Sequence, residues 1–347
     1  MAKTQLPTFS LLRYLGVRFL LIFPTMFILV TMVFIVMRMV GDPITASQGG
    51  KLSAEQLQEL ITKAGYDRPI FVQYFEYLGS VATGDFGTTL TDNRPVIELL
   101  STYGVATLEL AVYALVVAFL VGFPLGMIAA RRRDTPTDAG LRLFAILAYA
   151  TPVFFVGLLL KLVFAVAIPI LPVAGRVGVR SEIELARMED PTGFYLIDAL
   201  ILGRGDIFLD VLRHSILPAT ALGLLTAGIF LRLVRTNMIS TLNADYIDAA
   251  RSRGVSETKL VAVNAFRPAL IPIITVVGMQ IALLLGGAVL TETTFEWKGL
   301  GFQLAEYLSA RDYVAVQGIV ALLAVIVALT NFIVDAIVAL VDPRVKF

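Results

Sequence analysis

The sequence predicts an all-α integral membrane protein that crosses the bilayer six times. Three observations carry that prediction. Of 347 residues, 57% are hydrophobic and only 16% are charged, where a soluble domain has about 25% charge and 45–50% apolar residues. Mean hydropathy is +0.82. The apolar residues also fall in blocks long enough to cross a hydrocarbon core, which takes about 20 residues for about 30 Å. The blocks are 14–38, 105–130, 143–167, 215–235, 269–290 and 313–341.

Each element follows in chain order. Lys3, Arg13 and Arg18 precede the first block, and the apolar run Phe19 to Met37 exceeds a signal-peptide core of about 7–15 residues. A retained signal-anchor is expected. The 39–104 segment follows as an external loop. Within it Ser53 suits an N-cap, Glu55 the first turn and Gly65 the stop of a helix over 53–64, and Pro69 opens a second over 70–78. Arg131, Arg132 and Arg133 close the second block. Pro152 lies inside the third, and the acidic 168–213 segment (Glu182, Glu184, Glu189, Asp190, Asp198, Asp206, Asp210) gives no readable fold. The fourth block is the weakest, starting near Pro218 and ending at Arg232 and Arg235. The sixth exceeds one hydrocarbon thickness, so tilt or protrusion is expected. Segments 1–18, 131–142, 232–267 and 342–347 hold 15 Lys and Arg in 72 positions, against 11 in 135 for the opposite side. Both termini are therefore expected in the cytoplasm. The whole chain, 1–347, reads as one transmembrane domain, with external loops 39–104 and 168–213 and a cytoplasmic loop 236–267.

Composition also excludes chemistry. With no cysteine and one histidine, thiolate sites, disulfides and His-rich metal sites are ruled out. A net charge of +1 argues against a nucleic-acid surface. No phosphate loop is present; Gly49-Gly50-Lys51-Leu52 lacks both the leading glycine and the hydroxyl. No catalytic, cofactor or metal residues are expected. His214, beside Arg213, reads as an interfacial hydrogen-bonding group. The chain is not expected to be an enzyme or a self-contained pump.

The most informative stretch is Asp245-Tyr-Ile-Asp-Ala-Ala-Arg-Ser-Arg-Gly-Val-Ser-Glu257. It predicts a short helix stopped by Gly254 in the left-handed position, then a second helix capped by Ser256 with Glu257 in its first turn. Ala249 and Ala250 allow close approach of another surface, and Tyr246 and Ile247 offer apolar anchors. The alternative is an ordinary interfacial helix. Asp248-Ala249-Ala250 through Gly254 resembles the EAA loop of ABC-importer permeases, with aspartate for the usual glutamate. The longer run, and Phe266-Arg-Pro-Ala-Leu-Ile-Pro272, resemble the dipeptide/oligopeptide permease family in particular. So do Asp67 to Tyr74, Gly84-Asp85-Phe86-Gly87, Thr151-Pro152 to Gly157, Leu171 to Arg176, Leu285 to Gly301, Arg311-Asp312-Tyr313, Asn331, Asp335 and Asp342-Pro343-Arg344. The chain departs from that pattern at Asn264, Pro268 and Lys298. Pro268 donates no backbone hydrogen bond and is expected to alter the helix entering the fifth span.

The resemblance implies a type I ABC-importer permease fold, and a translocation path shared with a second, homologous permease subunit in a heterodimer. It also implies two cytoplasmic ATPases, holding ATP and Mg, that dock on residues 244–257, and a solute-binding protein that delivers peptide outside. It assigns ATPase coupling to Asp245, Tyr246, Asp248, Ala249, Ala250, Arg251 and Gly254. The long first external loop favours the subunit that begins with an external domain. Ionisable and amide groups inside spans mark pathways or packing: Gln280, Glu292, Asn331 and Asp335 are the path candidates. Glu109 and Lys161 are further intramembrane polar groups, with Lys161 read as snorkelling outward. Asn331 and Asp335, four apart, share a helix face, and Gly286-Gly287 invites helix contact. The same machinery importing nickel chelates, glutathione or haem, a gradient-driven secondary transporter, and a non-transporting scaffold stand as alternatives.

Overall fold

The computed structural model describes residues 8–50 and 52–341; Lys3, Lys51 and Asp342-Pro343-Arg344 lie outside them. Helix α1 (Thr8–Val40) leads into α2 (Pro43–Gln48), α3 (Ala54–Ala64), α4 (Ile70–Ala82) and α5 (Val96–Leu99). Then come α6 (Val105–Arg131), α7 (Pro136–Ala150), α8 (Val153–Lys161), α9 (Val179–Leu185) and α10 (Tyr195–Ile201). The chain continues through α11 (Gly205–Leu242), α12 (Asp245–Ser252), α13 (Glu257–Lys259), α14 (Phe266–Phe295), α15 (Leu300–Ser309) and α16 (Tyr313–Val341). Among the described residues four helices, within α1, α5–α6, α11 and α16, are each long and apolar enough to cross a membrane. The block at 269–290 falls on α14, an unbroken helix of 30 residues.

Two span boundaries differ from expectation. The 143–167 block is not one helix, because α7 and the helix running through 153–167 meet at 104°. Pro152 supplies no N–H, and the residue before a proline is driven out of the α region; Thr151 accordingly sits at φ −83°, ψ 129°. Its backbone N–H and its hydroxyl both donate to the Leu147 carbonyl, at 3.0 and 2.6 Å, which ends α7. The fourth span begins ten residues before its apolar block. Helix α11 has 38 residues, about 57 Å at 1.5 Å per residue, so it projects beyond the hydrocarbon. Pro218 lies within it without ending it.

The centre of the bundle is the α6–α11 seam. A Cβ on Gly122 would lie 2.7 Å from the Ala227 carbonyl oxygen, and one on Gly126 2.9 Å from that of Leu231. Only hydrogen fits there, the small-residue packing that membrane helices use in place of a hydrophobic driving force. Phe230 fills the seam against Phe119 and Phe123, with centroids 5.2 and 5.5 Å apart. The expected contact at Gly286 is absent: nothing lies within 4 Å of its missing Cβ.

Helix α1 stands at the edge, its Phe19 ring 5.7 Å from Phe332 of α16. In the 39–104 loop Ser53 and Gln56 complete a capping box and Gly65 closes α3 at φ 76°, as the sequence predicts. The loop is not wholly aqueous. Tyr74 of α4 shares a hydrogen bond of 2.7 Å with Thr31 of α1, nine residues or about 13 Å below the end of that helix. Phe71 and Phe75 on α4 are 75% and 68% exposed, a face suited to acyl chains. The loop is tied down by buried Asp312, which accepts from the Leu90 and Thr91 amides at 2.6 and 2.8 Å; this accounts for part of the Arg311-Asp312-Tyr313 motif.

Candidate functional site

The chain between α11 and α14 forms a small hairpin of helices. Asp245 and Asp248 occupy the first turn of α12 and Arg251 its last, the arrangement that complements the helix dipole. Gly254 ends the turn at φ 79°, which an L side chain adopts only with strain. Ser256 stands at the next N-cap, but its hydroxyl makes no capping bond. Instead Arg251 closes the hairpin. Its guanidinium donates to Asp248 at 2.7 Å and to Glu257 at 2.6 Å. That hydrogen bond, with the charges of Arg251 and Arg131 behind it, holds the Glu257 carboxyl below its ordinary range.

The hairpin is keyed into the bundle from beneath. Ile247 and Leu260 are fully buried, packed with Met238, Val234, Ala265 and Ala130. Ile247 is thus an internal anchor rather than the partner-facing one expected from its place beside Tyr246. Ala250 is half-buried against the same cluster. Left facing outward are Asp245, Tyr246 (47% exposed), Asp248, Ala249, Arg251 and Gly254. A cleft of about 340 Å³ beside them is lined by Arg131, Asn243, Asp248, Arg251 and Glu257. Arg131 and Glu257 therefore complete a polar surface that the EAA-like motif by itself does not contain. The chain then widens into a π-helical turn, Leu260–Ala265, before α14. Pro268 follows this turn within one continuous helical run. It cannot donate to the preceding turn, and the helix is π-widened just ahead of it, in keeping with the altered entry expected at the fifth span.

The four path candidates do not converge. Glu292 is fully buried inside the chain, accepting from Thr107 Oγ1 at 2.7 Å and the Phe302 amide at 2.8 Å. Thr107 in turn accepts from the Leu300 amide, and Trp297 Nε1 donates to the Ala106 carbonyl at 2.8 Å. This fastens α15 to the N-terminal end of α6 and the C-terminal end of α14. Gln280 is buried in α14. Asp335 pairs with Arg18 of α1 at 3.3 Å, and Asn331 lines the same groove between α1 and α16.

The remaining polar groups are also accounted for. Glu109 accepts from Arg176 at 2.5 Å, Tyr113 at 2.7 Å and the Leu196 amide at 3.2 Å, stitching the 168–213 loop to α6. Lys161 does not snorkel outward; it donates to the Thr294 carbonyl at 2.9 Å. Lys298 lies 3.7 Å from Glu182. His214 Nδ1 is 2.8 Å from the Asp210 carbonyl oxygen, consistent with a local hydrogen-bonding role.

Comparison with known proteins places this arrangement. Residues 122–347 match the binding-protein-dependent transport system inner membrane component family, and residues 11–99 match its N-terminal membrane component. The di/tripeptide transport system permease of Pseudomonas aeruginosa is 38% identical over 97% of this chain and 99% of its own. The dipeptide transport system permease of Escherichia coli is 37% identical over 97% and 98%. A glutathione transport system permease of Salmonella choleraesuis is 31% identical over 97% of this chain and 100% of its own. In fold the chain resembles a structure of the MetNI methionine ABC transporter in inward-facing form, with TM-score 0.51 and 17% identity over 71% of this chain and 97% of that one. The chain belongs to the binding-protein-dependent transport inner-membrane component family and has its all-α, multi-span permease fold.

Proposed function

We propose that this chain is a permease subunit of an ATP-driven importer of di- and oligopeptides, and that α12 with Gly254 is its coupling element. One observation carries the coupling assignment. Ile247 and Leu260 lock the hairpin into the spans, while Tyr246, Ala249 and Gly254 face outward, uncovered by the described residues. A surface held rigidly below and free above transmits force from a docked partner to α11 and α14. In this reading two ATPases bind there and bring ATP and Mg; this chain performs no catalysis. A homologous permease completes the path, and an external binding protein delivers peptide. Both termini and the hairpin face the cytoplasm, in keeping with the excess of Lys and Arg on that side. The peptide reading rests on the near full-length likeness to di- and tripeptide permeases. Glutathione, itself a tripeptide, is the second reading, favoured by the 31% identical relative.

The test is recruitment of the ATPases and peptide-stimulated ATP hydrolysis in the reconstituted complex. Gly254→Asp and Ala249→Glu are expected to abolish both, with the membrane fold intact. Normal recruitment and transport in both variants would remove the coupling assignment. Transport persisting without any ATPase, and abolished by a proton uncoupler, would favour a gradient-driven carrier.

A further inference from the structure

The face where α7 crosses α11 carries a second feature, unrelated to coupling. A cleft of about 340 Å³ opens between the two helices. Its apolar wall is made by Ala145, Ile146, Ile229 and Leu231, and its rim by Arg142 and Arg232. Helix contact at Gly228, where a Cβ would lie 2.8 Å from the Ala145 carbonyl oxygen, closes one side. Ile146 and Tyr149 stay 62% and 61% exposed, so the other side is open.

The charges on this rim are unbalanced. Asp138, fully buried, is the carboxylate at this corner, and Arg235 takes it in two hydrogen bonds of 2.6 and 2.8 Å. Arg142 approaches the same carboxylate only to 3.8 Å and is 54% exposed. Arg232 is exposed and has no carboxylate partner among the described residues. Two guanidinium groups thus face outward above an apolar slot. They stand where the apolar run of α11 gives way to Arg232 and Arg235, the level at which a span leaves hydrocarbon for the headgroup region. The slot continues from there along α7 to Tyr149, seven residues or about 10 Å further.

We infer that this cleft is a binding site for an anionic phospholipid, its phosphate held by Arg142 and Arg232 and one acyl chain lying along Ile146 and Ile229. An amphiphile matches both halves of the site at the right depth: a basic pocket between spans on the cytoplasmic side suits an acidic headgroup. The inference rests on the orientation proposed above for its side of the membrane. It does not depend on which solute is carried.

The experiment is a lipid titration of the full-length chain in detergent, followed by native mass spectrometry. The probes are phosphatidylglycerol, phosphatidylcholine with the same acyl chains, and glycerol phosphate. Saturable binding of phosphatidylglycerol is expected, with phosphatidylcholine much weaker and glycerol phosphate unable to compete. Arg142→Gln with Arg232→Gln is expected to weaken phosphatidylglycerol about 25-fold, about fivefold per arginine. Ile146→Trp, which fills the slot without touching the charges, serves as the independent variant and is expected to weaken both lipids. Equal binding of the two lipids, full competition by glycerol phosphate, or unchanged affinity in both variants would overturn the site. So would loss of the lipid when the second permease subunit assembles, since a protein would then cover the cleft. ATPase recruitment, read separately on the same variants, is expected to persist; its failure in the parent chain would count against the importer reading and leave the lipid result standing.

Discussion

The two ends of α14 are held in opposite ways. At the C-terminal end a buried carboxylate, Glu292, gathers Thr107 and the Phe302 amide inside the protein, with Trp297 pinned to Ala106 beside it. At the N-terminal end, beyond the π-helical turn, Arg251 and its two carboxylates lie in the open, and buried Ile247 and Leu260 supply the anchorage. The C-terminal end is polar inside and closed; the N-terminal end is apolar inside and polar outside. A buried polar network fixes one geometry because every broken bond leaves an unsatisfied group. An exposed pair leaves its surface available to a partner. Rigidity at the one end and an accessible face at the other are what the coupling role proposed above requires of those two places.

Glu292→Leu should break the comparison most severely. It strands the Phe302 amide and the Thr107 hydroxyl away from water, at about 1–3 kcal/mol for each unsatisfied group. A large fall in the detergent melting temperature is expected, whereas Glu292→Gln, which keeps an acceptor, should lose less. Equal losses would mean that hydrogen bonding is not what holds this end of α14. Next comes Ile247→Ala, expected to cost about 2–4 kcal/mol of local stability and to raise amide exchange across α12. Its neighbour sharpens the contrast: Tyr246→Ala should change stability by less than about 0.5 kcal/mol yet reduce ATPase recruitment. If the two variants behave alike, the division into anchor and docking face is wrong. The smallest effect is on pH. Because Arg251 lowers the Glu257 carboxyl below its ordinary range, the contribution of that pair is complete above the unfolded carboxylate value. It is lost as pH falls through the lowered folded value. Amide exchange around 251–257 should rise on that acid limb, and Glu257→Gln should remove the rise.

Much of this was legible from residue pattern. Apolar blocks locate the spans because a bilayer demands continuous helix, and Ser53, Gly65 and Gly254 act through local backbone chemistry that needs no tertiary context. What stayed hidden depends on which residues meet. Pro152 announces a break, but the 104° angle is set by packing on α11 and α14. The Gly286-Gly287 pair invites a helix contact, yet nothing approaches Gly286, and the tight seam uses Gly122 and Gly126, whose four-residue spacing was the readable signal. Glu292 reads as a path residue because charge in a span suggests function; its partners come from α6 and α15, far away in sequence. Ile247 and Tyr246 are adjacent and both offer apolar surface, and only the packing of α12 against Met238, Val234 and Leu260 decides which one turns inward.

The placement of α1 has a consequence for how the molecule is made. The N-terminal half of α1 meets α16, through Phe19 on Phe332 and Arg18 on Asp335. Its C-terminal half meets α4, through Thr31 and Phe34 on Tyr74, so one helix is held by a neighbour close in sequence and by one far along the chain. Until α16 is inserted, the N-terminal half of α1 lacks its neighbour, and the helix is held to the rest of the chain through α4. Closure of that side of the bundle therefore waits for α16, and a chain interrupted within α16 would leave α1 docked at its C-terminal half alone.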